Sequence, residues 1–297
     1  MGKRMRFIVY GAGALGSFIG GMLSKKFDVL LVGRKKHMDA IAEKGLTIEG
    51  ITNGVFHPSV KWDGSKYDVI ILTTKAYDTE KAVREAKEKF GKMPVLSLQN
   101  GLKNEEKIAK IMGRENVIGG ITNHGITFIQ PGRIRHAGYG KTLIGEIYRK
   151  NGERVEEIAK SFNEVGIETE VSDNIKKEIW KKAIINSAIN PLTAIFKCRN
   201  GELLNHKNLL KKICEEGEKI ARKDGFEMES AFNATLEVIE KTKENYSSML
   251  QDVLNGKKTE IEEINGEIAE IAKKYGIEAC YNIVLTEIIK GMESVGT

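Results

Sequence analysis

The chain has 297 residues, enough for about two domains at roughly 150 residues each. Its 41% hydrophobic and 30% charged composition is that of a globular protein able to build a sizeable core. The formal charge of +6 is dispersed along the chain; it suits anionic small molecules but, without a basic block, does not point to nucleic acid.

Other classes fall away on residue counts. Four prolines are too few for a proline-rich linker. Cys198, Cys214 and Cys280 are far apart and odd in number, so neither a disulfide framework nor a CxxC knuckle is expected. The five histidines show no HxH or HExxH spacing, so no metal is expected. No apolar run approaches the ~20 residues that span a bilayer, so no membrane partner is expected. The expectation is a soluble, cytoplasmic, two-domain protein, with a homodimer left open.

At the N-terminus, Met1-Gly2-Lys3-Arg4-Met5-Arg6 ahead of an apolar stretch imitates a signal peptide. Gly11, Gly13 and Gly16 break that stretch. N-myristoylation is disfavoured as well, because Arg6 stands where Ser or Thr is required.

Phe7-Ile8-Val9-Tyr10 reads as a short buried strand, and an apolar helical pattern continues through Phe18, Ile19 and Leu23. Further strands are expected at Val29-Leu30-Leu31-Val32, Val69-Ile70-Ile71-Leu72 and Val95-Leu96-Ser97-Leu98, with a polar helical segment between the last two. Short apolar strands alternating with helices imply a parallel sheet covered on both faces. Residues 117–144, rich in Gly and β-branched residues, look like strands and hairpins added to that sheet. From Asp173 onward glycine is sparse and helical spacing dominates. Thr259-Glu260-Ile261-Glu262 fits a capping box, with Thr259 at the N-cap and Glu260 in the first turn. Ile261, Ile264, Ile268 and Ile271 then supply an apolar face. The boundary is expected near 171–174, giving domains 1–172 and 173–297 that pack with a cleft between them.

The strand ending at Tyr10 runs into Gly11-Ala12-Gly13-Ala14-Leu15-Gly16, a GxGxxG loop opening a helix. Gly11 permits the tight turn, Gly13 lets a pyrophosphate approach the backbone, and Gly16 lets the helix lie close to the sheet. This is the fingerprint of a Rossmann-type dinucleotide-binding domain; a methyltransferase loop favours GxGxG instead. At the end of the second strand, NAD enzymes place Asp or Glu on the ribose 2′-hydroxyl. Here Gly33-Arg34-Lys35-Lys36 occupies that position, and Arg34 suits a 2′-phosphate. NADPH is therefore expected over NADH, with NADH as second choice; a solvated basic turn is the competing explanation.

The segment from Ile179 to Phe196 is apolar around its whole circumference, apart from Lys181 and Lys182, which marks a buried helix. Lys182, Asn186 and Asn190 recur every four residues along one side. Burying an ammonium and two carboxamides without partners is costly, so they face either a polar cavity and ligand or a hydrogen-bonded network.

Lys182-Ala183-Ile184-Ile185-Asn186-Ser187-Ala188-Ile189-Asn190-Pro191-Leu192-Thr193-Ala194, with Asn200-Gly201-Glu202-Leu203 downstream, resembles the signature of the ketopantoate reductases (2-dehydropantoate 2-reductases). Two further matches are Asn245-Tyr246-Ser247-Ser248-Met249-Leu250-Gln251-Asp252, followed by Thr259-Glu260 and Ile264-Asn265-Gly266, and Leu98-Gln99-Asn100-Gly101-Leu102 with Thr74-Lys75-Ala76. The resemblance spans almost the whole chain in order. It implies an N-terminal Rossmann-type domain and an all-helical C-terminal domain. It also implies reduction of 2-dehydropantoate to (R)-pantoate, in pantothenate and coenzyme A biosynthesis, with NADPH as hydride source.

By the same resemblance, Lys182 is the general acid and Glu260 the carboxylate that contacts the substrate hydroxyl and orders the site. Asn186, Asn190, Asn245 and Ser248 match substrate-contacting positions, Asn245 one turn before Ser248. Lys75 matches a position near the cofactor phosphate, and Asn100 one linking cofactor and lysine. His136, Gly138 and Gly140 resemble a loop pattern of the family, with a structural turn expected there, and Cys198 is expected to be an inert core residue. Two alternatives stay open: reduction of another 2-keto acid on the same architecture, and a non-enzymatic NADP-binding redox sensor. The Lys182–Glu260 pair argues against the sensor, which needs no proton donor.

Overall fold

A computed structural model describes residues 4–295; Met1, Gly2 and Lys3, where the leader-like and acylation patterns begin, lie outside the described residues. The chain divides into two compact units, residues 1–99 with 104–176, and residues 100–103 with 177–297.

In the first unit the strands are β1 (Arg6–Tyr10), β2 (Asp28–Val32), β3 (Leu46–Gly50), β4 (Gly54–Phe56), β5 (Val69–Leu72), β6 (Val95–Ser97), β7 (Val117–Thr122), β8 (Gly125–Gln130), β9 (Arg133–Gly138), β10 (Thr142–Glu146) and β11 (Thr169–Val171). Helices α1 (Ala14–Leu23), α2 (Lys35–Lys44), α3 (Thr79–Phe90), α4 (Asn104–Met112) and α5 (Glu153–Glu164) connect them. Seven strands make one sheet in the order β11-β10-β7-β6-β5-β1-β2. All its pairs are parallel except β10 with β7.

The Val-Ile-Ile-Leu of β5 is buried throughout, as a strand covered on both faces must be. Phe7, Phe18 and Phe162 fill the core around it. β1 sits between β2 and β5, so the winding of the chain reverses beside β1. Ligands of open α/β sheets bind outside the carboxyl ends of the strands at such a reversal.

The expectation for residues 117–144 needs correcting. β7 and β10 join the main sheet, but β8 and β9 pair with β3 and β4 in a second sheet of order β4-β3-β9-β8. The reason is visible in β9: Arg133 and Arg135 are exposed while Ile134 and His136 are buried. That alternation suits a sheet with one wet face, unlike the fully buried β7.

The second unit is helical: α6 (Ile175–Phe196), α7 (Lys207–Lys223), α8 (Ala231–Lys241), α9 (Ser248–Leu254), α10 (Glu267–Lys274) and α11 (Cys280–Val295). Its core gathers Ile184, Leu210, Ile213, Ile220 and Ile268. A Cβ at Gly217 would stand 2.9 Å from Ile184 Cγ1, so the glycine lets α7 lie close against α6. Among the described residues, no helix is long and apolar enough to cross a membrane.

Pro191 lies inside α6 without ending it. Proline has no N–H, so the carbonyl four residues earlier, that of Ser187, loses its helical donor. Asn265 supplies the replacement: its fully buried side chain donates from Nδ2 to Ser187 O at 3.0 Å and to Asn282 Oδ1 at 3.0 Å.

The expected capping box is only half made. Thr259 Oγ1 accepts from the Ile261 N–H at 3.2 Å. The Thr259 N–H goes instead to Glu293 Oε1 at 2.7 Å, while Glu262 is drawn to Lys258 and Lys290. A π-helical turn, Glu262–Gly266, then leads into α10. Glu260 immediately precedes the helical residues, with its carbonyl accepting from the Ile264 N–H at 3.0 Å.

Asn265→Ala leaves the Ser187 carbonyl buried without its donor and should cost about 1–3 kcal/mol in denaturant unfolding. Pro191→Ala restores a backbone N–H and should recover part of that loss in the Asn265→Ala background. Unchanged stability in the single variant would refute the compensation.

Candidate active site

The glycine loop takes its shape from contacts with two neighbouring strand ends. The N–H groups of Gly11 and Ala12 both donate to Val32 O at 2.9 Å, while Thr73 Oγ1 donates to Gly11 O at 2.9 Å. Gly11 has φ +113°, and a Cβ there would lie 2.5 Å from Thr74 N. A Cβ on Gly16 would lie 2.3 Å from Gly11 O. Both positions therefore require glycine. Gly13 differs: it is exposed, and a Cβ would meet nothing nearer than Gly11 O at 4.0 Å. The open side of the loop is at Gly13, where α1 begins with no side-chain cap and no acidic residue in its first turn. Ala14 and Leu15 continue it half-buried, above a buried Ala12. Uncapped N–H groups and the positive end of the helix fit the diphosphate of a dinucleotide.

At the end of β2, Gly33 is as constrained as Gly16, since a Cβ would lie 2.5 Å from Ala12 Cβ. Arg34 follows, exposed, at the N-cap of α2 with no side-chain capping bond. Lys35 is engaged with Asp39 at 2.7 Å, while Arg34 and Lys36 are both exposed beside it. Lys75 sits half-buried beyond β5, at the start of a short 3-10 turn. Behind that turn Gln99 Nε2 donates to Thr74 O and to Thr79 Oγ1, both at 2.9 Å, and Thr79 Oγ1 donates to Asn104 Oδ1 at 2.8 Å.

In the helical unit four of the expected residues meet. Asn100 donates from Nδ2 to Glu260 Oε2 at 3.2 Å, and Asn186 Nδ2 approaches Asn100 Oδ1 at 3.5 Å. Lys182 lies one turn before Asn186 on α6. Burial pushes the Lys182 ammonium down to about 8, and the charge of Glu260 opposes that fall. Glu260 itself is buried. A cation that loses water but keeps a nearby carboxylate is still mostly protonated at neutral pH, and releases its proton more readily than an ordinary lysine. Asn190, one turn beyond Asn186, is also buried.

Asn245 and Ser248 stand apart from this cluster in their contacts. Asn245 is not on a helix one turn before Ser248. It lies in the loop ahead of α9, and its carbonyl accepts from the Asn200 N–H at 3.0 Å. Ser248, the first residue of α9, is exposed. The neighbouring Ser247 is the buried one; it caps α9 by accepting from the Leu250 N–H at 3.1 Å and receives Thr193 Oγ1 at 2.7 Å.

Comparison with known proteins places this geometry. The model of the family described as "Ketopantoate reductase PanE/ApbA" matches residues 7–149, and that of its C-terminal part matches residues 174–293. The chain belongs to the ketopantoate reductase family. A 2-dehydropantoate 2-reductase of Pyrococcus horikoshii is 44% identical over 98% of this chain and 99% of its own length. Its counterpart in Pyrococcus abyssi is 42% identical over the same shares. Among solved structures, a PanE/ApbA family ketopantoate reductase from Ralstonia eutropha superposes with a TM-score of 0.90 at 28% identity, covering 98% of this chain and 99% of that one. A D-mandelate dehydrogenase solved with NADH and anilino(oxo)acetate gives 0.87 at 29% identity, with the same coverage. The α/β nucleotide unit and the helical unit are those of the ketopantoate reductase fold.

Two residues of the nucleotide unit carried no signal of their own in the sequence, although Gln99 falls within the Leu98–Leu102 match. Thr73 and Gln99 act on the backbone of the glycine and β5 loops, and only the placement of the strand ends reveals them. His136 and Gly138 lie in β9 and not in the expected turn; His136 is buried, with Nδ1 2.9 Å from Thr52 Oγ1 and Nε2 3.1 Å from Gly138 O. Burial pushes the Cys198 thiol up, as for an unreactive thiol.

Proposed function

We propose that this protein reduces 2-dehydropantoate to (R)-pantoate with NADPH, a step toward pantothenate and coenzyme A, with Lys182 as the general acid. The observation that carries the reading is the Lys182 ammonium, depressed to about 8 by burial and faced by the charge of Glu260, in a cluster with Asn100 and Asn186. A proton donor tuned to near-neutral pH is what reduction of a carbonyl demands, because charge develops on its oxygen. The names carried by the relatives over nearly their full lengths support the substrate.

The nucleotide is held through its diphosphate at Gly11, Ala12, Gly13, Ala14, Leu15 and Gly16, with Lys75 beside the phosphates. Arg34 takes the 2′-phosphate that distinguishes NADPH from NADH. A dihydronicotinamide bound there would supply the hydride. Lys182 then gives its Nζ proton to the oxygen formed from the C2 carbonyl. Glu260, steadied by Asn100, keeps the ammonium charged in a dry setting and accepts from the substrate hydroxyl. Asn186 and Asn190 offer amide donors and acceptors to the rest of the substrate, and Asn245 and Ser248 lie on the segment assigned to its carboxylate. Reduction of a different 2-keto acid has one specific support, the structural likeness to D-mandelate dehydrogenase. Turnover assays with 2-dehydropantoate and phenylglyoxylate separate the two.

Lys182→Ala should lower kcat about 10²–10⁴-fold, the usual contribution of a general acid, with NADPH binding retained. Near-normal turnover in that variant would exclude the assignment. Arg34→Ala should raise KM for NADPH by about tenfold or more, the loss of a charged hydrogen bond, and leave KM for NADH nearly unchanged. An equal effect on both cofactors would make Arg34 a solvated turn residue.

A further inference from the structure

The segment that carries Asn100 has no regular secondary structure. It follows β6, and Gly101 directly after Asn100 takes a positive φ of +101°. From this irregular segment the Asn100 amide meets Glu260 Oε2 at 3.2 Å. A carboxylate holds the backbone that follows Asn100. Glu267, the first residue of α10 and itself buried, accepts two consecutive backbone N–H groups on one oxygen: Leu102 N at 2.7 Å and Lys103 N at 3.0 Å from Oε2. Paired adjacent amides are a strong site for a carboxylate. The Lys103 ammonium is also paired with Glu270, one turn further along α10, and the Leu102 side chain packs against the helical core.

We propose that Glu267 is a positioning residue for the reaction: it clamps residues 100–103 so that Asn100 holds Glu260, which in turn sets the charge beside Lys182. This rests on the reductase reading of the Lys182 cluster. Its effect on turnover passes through Asn100 and not through contact with substrate or cofactor. One oxygen, Oε2, accepts both N–H groups, so a Gln amide that keeps an acceptor there should hold the segment far better than Ala, though less tightly than the carboxylate.

The test combines kinetics with hydrogen exchange. Glu267→Ala should lower kcat by about 10- to 100-fold, the scale of a displaced active-site group. Glu267→Gln, which keeps a carbonyl oxygen in place, should stay within about threefold of wild type. In an Asn100→Ala background, Glu267→Ala should add less than about threefold, because residues acting in one chain are not additive. The same fold-loss in both backgrounds, or a Gln variant as impaired as the Ala variant, would overturn the proposal. Amide-resolved hydrogen exchange needs no turnover. Leu102 and Lys103 N–H groups should be protected in the wild-type protein and in Glu267→Gln, and exchange freely in Glu267→Ala. Free exchange in the wild type would overturn the clamp even if the Ala variant does not fold. Wild-type protein inactive on 2-dehydropantoate but protected at these amides would refute the substrate reading and leave the clamp standing.

Discussion

The desolvation of one ammonium group governs the helical unit. From Ala183 to Ala194 α6 is almost wholly buried, and an ammonium at the start of that stretch loses hydration, a loss that pushes a lysine pKa down. The structure answers with a carboxylate close enough to hold Lys182 near 8 instead of letting it fall further. That carboxylate is buried too, so it needs its own donor, and Asn100 provides one. Each polar group in the cluster thus answers for the one before it. The sequence of dependences runs from Lys182 through Glu260 and Asn100 to the backbone N–H groups held by Glu267.

The nucleotide unit solves a different problem, the close approach of backbone to backbone. Gly11, Gly16 and Gly33 stand where a Cβ would collide with Thr74, Gly11 O and Ala12 respectively. Gly13 alone faces open space. Three glycines therefore draw the ends of β1, β2 and β5 together, and the fourth leaves room for something that is not protein. Arg34 is placed by the same packing, since Gly33 brings the end of β2 against Ala12.

Much of this was legible from spacing. The first, second, fifth and sixth strands and the glycine loop follow from local apolar runs, and the polar line Lys182, Asn186, Asn190 from a helical period. The features that were not legible depend on residues far apart in the chain. Thr259 and Glu262 form a good local capping box, but Glu293 and Lys290 compete successfully for the same groups. Pro191 in α6 is tolerable only because Asn265, more than seventy residues later, supplies the missing donor. The sheet that β8 and β9 join is not legible from their Gly and β-branched composition; it shows in the one-sided burial of β9. Glu267 looks like any first-turn acid until the fold brings residues 102 and 103 to it.

The central claim is that a depressed lysine, restrained by Glu260, donates the proton. The most direct measurement is the pH dependence of kcat/KM for keto-acid reduction, in the wild type and in Glu260→Gln. A general acid must be protonated to act, so the wild-type rate should fall as pH rises through about 8. Removing the charge of Glu260 removes what opposes the effect of burial, so the falling limb should move to lower pH in the variant. A wild-type rate with no inflection near pH 8, or a limb that stays in place when Glu260 is neutralised, would contradict the account.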